Sequence, residues 1–156
     1  MISISIPDYR EITLQHLVLD MNGTLARDGV LLPGVKERLD QLKPLLAVHL
    51  ITADTHGGGQ EAALALGIHF HKMTPGPGGP QKKLLVQGLG ADSVVAIGNG
   101  ANDALMLKEA ALGLAVNGGE GAAVAAILAA DIYIPDILDA LDLLLHPDRI
   151  RATLRR

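Results

Sequence analysis

The sequence predicts an α/β fold, a doubly wound parallel sheet with flanking helices, and three observations lead to this prediction. Short apolar runs bounded by polar or glycine-rich turns alternate along the chain with segments of helical periodicity. Hydrophobic residues make up 49% of the 156 residues, which is enough to bury a sheet on both faces. Carboxylate, hydroxyl or amide side chains directly follow several apolar runs, as expected where parallel strands end at a ligand-binding edge.

The composition argues against several classes of protein. A net charge of -4, one Phe, two Tyr and no Trp leave little with which to bind nucleic acid. The absence of cysteine rules out a disulfide framework and thiolate chemistry, and it is typical of a reducing compartment, which favours a cytoplasmic location. The first residues alternate instead of forming a signal peptide, and no apolar run is long enough for a membrane span.

The amino-terminal residues predict a β-hairpin ahead of the core. Isoleucines alternate with polar residues over 2–6, as in a half-buried strand, and 12–14 supplies a partner strand. We therefore expect a single domain with this hairpin in 1–15, the core in 16–146 and a basic tail in 147–156.

The core is predicted from its apolar periodicity. Apolar runs predict strands over 16–19, 46–51, 69–73, 93–97, 112–116 and 131–135. Apolar positions three or four residues apart predict helices over 33–43, 60–67, 81–89, 104–111, 120–130 and 138–145. Residues 26–32 predict a small excursion with a turn at Asp28-Gly29, and the Gly/Pro-rich stretch 74–80 predicts a tight surface loop.

The most informative stretch is Asp20-Met21-Asn22-Gly23-Thr24, directly after the first core strand. An Asp at the carboxyl end of a strand is placed to act as a nucleophile or a metal ligand. Gly23 allows the turn, and the amides and hydroxyl around Thr24 offer a cradle for an anion. The stretch therefore points to an anionic substrate.

Further polar residues follow other strands or begin a helix, and the core has no need of them. They are Thr52, Asp54, Lys82 or Lys83, Asn99 and Asp103. A lysine in the first turn of a helix is unfavourable, which favours an anionic partner for Lys82 or Lys83. A carboxylate nucleophile, hydroxyl and lysine donors, and oxygen ligands for Mg²⁺ are what phosphoryl transfer requires.

With these motifs the chain resembles the haloacid dehalogenase superfamily over nearly its whole length. The turn at Asp20 fits the nucleophile motif, Thr52 fits the second motif, Lys82 fits the third with Lys83 as second choice, and 98–103 fits the acidic fourth motif. Within the superfamily, the chain is most similar to the phosphorylation domain of P-type ATPases and its small soluble relatives. Thr52-Ala53-Asp54 is similar to their T-G-D, and 98–104 to their G-D-G-x-N-D-A.

The resemblance implies a role for each matching residue. The implied catalytic residues are Asp20, which forms an aspartyl-phosphate, together with Asn22, Thr52 and Lys82. The implied phosphate-binding residues are Gly23, Thr24, Thr52, Ala53 and Lys82. The implied Mg²⁺ ligands are Asp20, the carbonyl of Asn22 and the side chain of Asn99, with Asp103 in support.

Two departures from the superfamily pattern bear on activity. Asn22 stands where phosphatases carry an Asp that protonates the leaving group and activates water, and general acid–base help is worth about 10²- to 10⁴-fold. We therefore expect slow hydrolysis or a requirement for a good leaving group. Asn99 stands where a metal-binding Asp is usual, which lowers the expected Mg²⁺ affinity.

Neither stretch in which the superfamily inserts a lid has room for one, so the site is expected to be open. An open site suits a macromolecular phosphorylated substrate, a partner protein or a homo-oligomer whose neighbour covers the cleft. The alternatives are a catalytically weak phosphate- or metal-binding regulatory module and a subunit completed by a partner.

The roles of a few residues stay open at this stage. Asp54 belongs either to the site or to the cap of the following helix. His69 and His71 share one strand face, which is typical of ordinary strand histidines and also suits a metal pair. His56 either contacts substrate or has no role.

Overall fold

The structure, a computed structural model, describes residues 1–54 and 58–156. A six-stranded parallel sheet lies at its centre. The strands in chain order are β1 (Ile2–Ile6), β2 (Arg10–Leu14), β3 (His16–Leu19), β4 (Ala26–Arg27), β5 (Val30–Leu31), β6 (Ala47–Thr52), β7 (His69–Lys72), β8 (Val94–Gly98), β9 (Leu112–Val116) and β10 (Ile132–Ile134). The helices are α1 (Val35–Leu42), α2 (Gly58–Leu66), α3 (Gly78–Leu89), α4 (Ala104–Glu109), α5 (Val124–Ala129), α6 (Ile137–Leu145) and α7 (Pro147–Leu154).

The strand order across the sheet is β10-β9-β8-β3-β6-β7. From β3 the chain adds β6 and β7 on one side and then β8, β9 and β10 on the other, so β3 is the topological switch point. Leu19, the last residue of β3, lies level with Leu50 of β6 on one side and Ile97 of β8 on the other. The next residue, Asp20, therefore emerges where the neighbouring strands also end, and its backbone N–H donates to the Ile97 carbonyl at 3.1 Å. Ligands of open α/β sheets bind at such a switch point.

Helices cover both faces of the sheet. Leu17 and Leu19 of β3 pack in a core cluster with Leu39 of α1, whereas Val18 faces a second cluster that includes Met106 of α4. The central strands are continuously apolar because both faces are buried. The predicted doubly wound parallel sheet is thereby confirmed. Over the ranges that the structure describes, no helix is long and apolar enough to cross a bilayer.

The predicted amino-terminal hairpin is present, with β1 and β2 paired antiparallel. The segment predicted as a basic tail is a helix, α7, and it packs against β1 of this hairpin. Pro147 at the first helical position is pre-organised for a helix, and the fully buried Ile150 anchors it to the core. The Arg151 guanidinium donates to the Ser5 carbonyl at 2.9 Å, so this basic segment is a packed element of the fold.

The starts of two helices differ from the sequence prediction by three residues or more. Helix α3 begins at Gly78, three residues before the predicted start, because the prolines of this Gly/Pro stretch fall before the helix and in its first turn, where no N–H is needed. Helix α5 begins at Val124 and not at Glu120, because the glycine-rich residues 117–121 form a loop.

Four histidines meet on one face of β3, β6 and β7. His49 lies at their centre, 6% exposed, with its ring nitrogens 3.2 Å from His16 Nδ1 and 3.0 Å from His71 Nε2. The His69 ring stacks on His49 with centroids 4.9 Å apart. Burial and then the neighbouring histidines lower the pKa of His49 to about 4. Over residues 1–54 and 58–156 no group of three or more His, Asp or Glu side chains is arranged to hold a metal ion.

We expect protonation of His49 to destabilise the protein in mild acid. Because the pKa of His49 is lower in the folded state than the ordinary 6.5, folding favours its neutral form. This contribution to stability is fully present above the pKa of the unfolded state and is lost as the pH falls toward the pKa of the folded state. Between about pH 7.5 and about pH 5 the free energy of unfolding should fall by about 2 kcal/mol. Urea unfolding at both pH values measures it.

The matched variants for this experiment are His49→Gln and His146→Gln, the second at an exposed position. His49→Gln should reduce the difference in unfolding free energy between the two pH values, and His146→Gln should not. An unchanged difference in His49→Gln would contradict the assignment of the acid sensitivity to His49.

Candidate active site

A buried ammonium group holds the centre of the site together. The Nζ of Lys82, which is fully buried, donates to Asp20 Oδ1 at 2.7 Å and to Asp103 Oδ1 at 2.5 Å. Lys83 instead pairs with Glu109 at 3.2 Å on the surface. The structure therefore brings Lys82, and not Lys83, to the predicted edge of the sheet.

Lys82 is the fifth residue of α3, so it lies beyond the first helical turn in which the sequence placed it. The unfavourable helix dipole consequently does not explain its need for an anionic partner. Burial does explain it, because a charged amine away from water must be paired. Burial by itself lowers the pKa of Lys82, but the charges of Asp20 and Asp103 outweigh it, and the net effect is a raised pKa.

Asp103 supports the site from behind. Its Oδ1 accepts from Lys82, and its Oδ2 accepts from the backbone N–H groups of Asn99 at 3.0 Å and Gly100 at 2.8 Å. Both carboxylate oxygens are thus engaged, and the side chain is fully buried. Asp103 orients Lys82 and the loop that carries Asn99, which suits the supporting role that the resemblance implied.

Asp20 is the carboxylate that reaches the cleft. This cleft, of about 230 Å³, is lined by Asp20, Asn22, Thr52, Ala53, Met73, Lys82, Asn99, Gly100 and Asn102. Burial, and then the charge of Asp103, raise the pKa of Asp20 to about 6 against the opposing effect of Lys82. Two buried carboxylates share one ammonium group, so the site carries an excess negative charge.

The residues present fit a divalent cation such as Mg²⁺. The Asp20 carboxylate, the Asn22 carbonyl and the Asn99 amide oxygen belong to residues that line one cleft, and all three are the hard oxygen donors that Mg²⁺ prefers. The excess buried negative charge is a second feature that a cation would offset. Both oxygens of Asp103 accept hydrogen bonds from the protein, and Asp103 is not among the residues that line the cleft.

A second cavity of about 450 Å³ adjoins the cleft. It shares Asn22 and Thr52 with the cleft and is also lined by Met21, Asp28, Gly29, Asp54, Gly58, Gly59 and Glu120. Two of its lining residues, Asp28 and Gly29, form the tip of the hairpin of β4 and β5.

Gly23 and Thr24, predicted to bind phosphate, use their donors in hydrogen bonds within the protein. The Gly23 N–H donates to the Ala26 carbonyl at 2.7 Å, and the Thr24 N–H donates to the Met21 carbonyl at 3.1 Å. The Thr24 hydroxyl donates to Asn99 Oδ1 at 3.3 Å. The two N–H groups close the turn after Asp20, and neither residue is among those that line the cleft.

Asp54 performs the capping role that the sequence left open. Its Oδ1 accepts from the backbone N–H of Gly59, the second residue of α2, at 2.5 Å, and Asp54 adopts a positive φ of 51°. The same side chain lines the second cavity, so capping does not remove it from the site. His56 lies outside the described residues.

One part of the site was missed by sequence reasoning, the loop Asn117–Gly121 after β9. The Gly118 N–H donates to the Gly23 carbonyl at 2.7 Å, which joins the loop to the turn after Asp20. A Cβ on Gly118 would overlap that carbonyl, so the close approach requires glycine. The concentration of glycines directly after the fifth core strand was the available indication.

Solved structures show which fold this is. The 3-deoxy-D-manno-octulosonate 8-phosphate phosphatase of Moraxella catarrhalis, solved with magnesium, phosphate and KDO, matches with a TM-score of 0.71 and 18% identity, over 91% of this chain and 94% of that chain. The cobalt-bound deoxy-D-mannose-octulosonate 8-phosphate phosphatase of Haemophilus influenzae matches with a TM-score of 0.68 and 14% identity, over 92% and 94%. The chain has the haloacid dehalogenase fold. Between Thr24 and Thr52 this haloacid dehalogenase fold holds only the β4–β5 hairpin and α1, so it is capless there.

Sequence comparison finds two relatives in Methanocaldococcus jannaschii. Uncharacterized protein MJ0073 is 56% identical over 62 residues, which are 40% of this chain and 67% of that protein. Uncharacterized protein MJ0072 is 49% identical over 39 residues, which are 25% of this chain and 89% of that protein. This chain belongs to the same family as these two proteins. No protein-family model matches it.

We expect Lys82→Met to destabilise the protein by about 3 to 5 kcal/mol, because it leaves two buried carboxylates without their cation. Lys83→Met, the matched control one residue along α3, removes only a partly exposed ion pair and should cost less than about 1 kcal/mol. Unfolding in urea near neutral pH measures both. Equal losses in the two variants would contradict the central role of Lys82.

A second expectation concerns the close approach at Gly118. Gly118→Ala forces the loop away from Gly23 and should cost about 1 to 3 kcal/mol. Gly88→Ala, at a position of α3 with open space around it, should stabilise the protein by about 0.5 to 1 kcal/mol. Thermal unfolding of both variants tests the pair, and a neutral Gly118→Ala would contradict the contact.

Proposed function

We propose that this chain is a Mg²⁺-dependent phosphohydrolase or phosphotransferase that acts through an aspartyl-phosphate at Asp20. The observation that carries the proposal is the Asp20 carboxylate at the cleft, held by a buried Lys82 and lying beside Thr52. The haloacid dehalogenase fold and the magnesium and phosphate in the Moraxella catarrhalis structure support it.

The residues divide the chemistry among them. The Asp20 carboxylate attacks phosphorus, a bond forms between its oxygen and phosphorus, and the bond to the leaving-group oxygen breaks with its electron pair. Lys82 fixes the attacking carboxylate, and together with the Thr52 hydroxyl it stabilises the charge on the phosphoryl oxygens. A bound Mg²⁺ would supply further neutralisation of that charge.

The weak point of the site is Asn22. Its amide lines both the cleft and the adjoining cavity, where a leaving group would need a proton, and an amide cannot supply one. The proposed substrates are therefore phosphorylated compounds whose leaving group needs little help, such as acyl phosphates. The open site also suits a phosphorylated macromolecule.

A second candidate function is that of a regulatory module that keeps a phosphoryl group on Asp20. The observation that favours it is the amide at position 22, because hydrolysis of the phosphoenzyme also needs a group that accepts a proton from water. The two candidates share the first step and differ in the second.

Hydrolysis of acetyl phosphate and p-nitrophenyl phosphate with Mg²⁺ tests the proposal in the native chain and two variants. Asp20→Asn should abolish activity, and Asn22→Asp should raise it by about 10²-fold or more, because it restores an acid at that position. Removal of Mg²⁺ with a chelator should reduce the activity of both the native chain and Asn22→Asp.

The outcomes separate the candidates. Stable phosphorylation of the native chain that is lost in Asp20→Asn, with no turnover, favours the regulatory module. If all three proteins fold but show no hydrolytic activity, and Asp20 is not phosphorylated, both candidates are contradicted.

A further inference from the structure

Asn99 lies in the turn after β8 and joins it to the turn after Asp20 and to the segment after β9. Its Oδ1 accepts from the Thr24 hydroxyl at 3.3 Å, and its Nδ2 donates to the Gly121 carbonyl at 2.9 Å. Its backbone carbonyl accepts from the Ala123 N–H at 2.7 Å. The amide therefore uses both of its side-chain atoms, one as acceptor and one as donor.

The loop Asn117–Gly121 depends on these bonds. Within it, Asn117 Oδ1 accepts from the N–H groups of Gly119 at 3.0 Å and Gly121 at 3.1 Å. Toward the rest of the site it is attached at two points, Gly118 to the turn after Asp20 and Gly121 to Asn99. The second attachment is a single side-chain hydrogen bond.

A carboxylate at position 99 could not make that attachment. Asp has no hydrogen to donate, and its oxygen would face the Gly121 carbonyl oxygen and repel it. It would still accept from the Thr24 hydroxyl. The choice of amide over carboxylate at this position therefore decides whether the attachment at Gly121 forms.

We propose that Asn99 is a positioning residue that fixes the loop Asn117–Gly121 at the rim of the site, and that the amide is there because Gly121 requires a donor. Glu120 of this loop lines the cavity that adjoins Asn22 and Thr52. The loop thereby shapes the space next to the phosphoryl position. Only this last consequence, for substrate binding, rests on the proposed function.

Amide hydrogen exchange of the free protein tests the attachment directly. The amides to follow are those that donate hydrogen bonds in this region, Gly118, Gly119, Gly121 and Ala123. In Asn99→Asp the exchange rates of these amides should be about five- to tenfold higher than in the native chain, because one hydrogen bond is lost and a repulsion is added.

The matched control is Asn102→Asp, which adds the same charge at an exposed asparagine of the same cleft. Native exchange rates are expected in this control. Acceleration of equal size in both variants would assign the effect to charge alone and overturn the proposal, and so would native rates in Asn99→Asp.

Thr24 provides the second pair of variants. Thr24→Val keeps the shape of the side chain but removes the hydroxyl that orients the amide of Asn99, and it should accelerate exchange about twofold to threefold. Thr24→Ser keeps the hydroxyl and should restore the native rates. Failure of Ser to restore them would show that packing, and not the hydroxyl, holds the loop.

Kinetics give a readout that a purely structural role would not move. In a chain active on p-nitrophenyl phosphate, Thr24→Val should raise KM several-fold, because the loop borders the cavity proposed for the leaving group. An unchanged KM would contradict this consequence. If no variant is active, the exchange experiment still decides whether Asn99 holds the loop.

Discussion

The buried ammonium group of Lys82 is the interaction on which the rest of the site depends. A charge removed from water must be paired closely, and here the two partners come from the end of β3 and from the turn after β8. Three elements far apart in sequence must therefore meet at one point. Glycine at position 98 makes room for this arrangement, because a Cβ there would overlap the Asp103 carboxylate. The pair of carboxylates then leaves an excess negative charge, which suits a cation at the cleft.

Around this centre the backbone itself is closely packed. Gly23 leaves space for the Asn99 side chain, and Gly118 lies against the Gly23 carbonyl. The turn after Asp20, the turn after β8 and the loop after β9 therefore interlock without large side chains between them. This backbone packing lies beneath Asp20, the residue that acts as the nucleophile in the proposed function.

The two asparagines of the site illustrate opposite consequences of one chemical change. Asn22 lies at the junction of the cleft and the adjoining cavity, and its amide can neither give nor take the proton that a phosphatase needs there. Asn99 uses both of its amide atoms within the protein. In the first case replacement of a carboxylate removes chemistry. In the second it adds the hydrogen-bond donor that holds a loop.

The sequence by itself determined the sheet and the hairpin, because strand periodicity is local, and it predicted that Asp20, Asp103 and a lysine meet at one edge, because the carboxyl ends of parallel strands share that edge. It left Lys82 and Lys83 as alternatives, since the choice depends on where α3 begins and which side of it is buried. The packed helix α7, the role of Thr24 within its turn and the loop Asn117–Gly121 were decided only by the tertiary structure. Each depends on an approach between atoms distant in sequence, as where Gly118 meets Gly23, and no local pattern encodes such an approach.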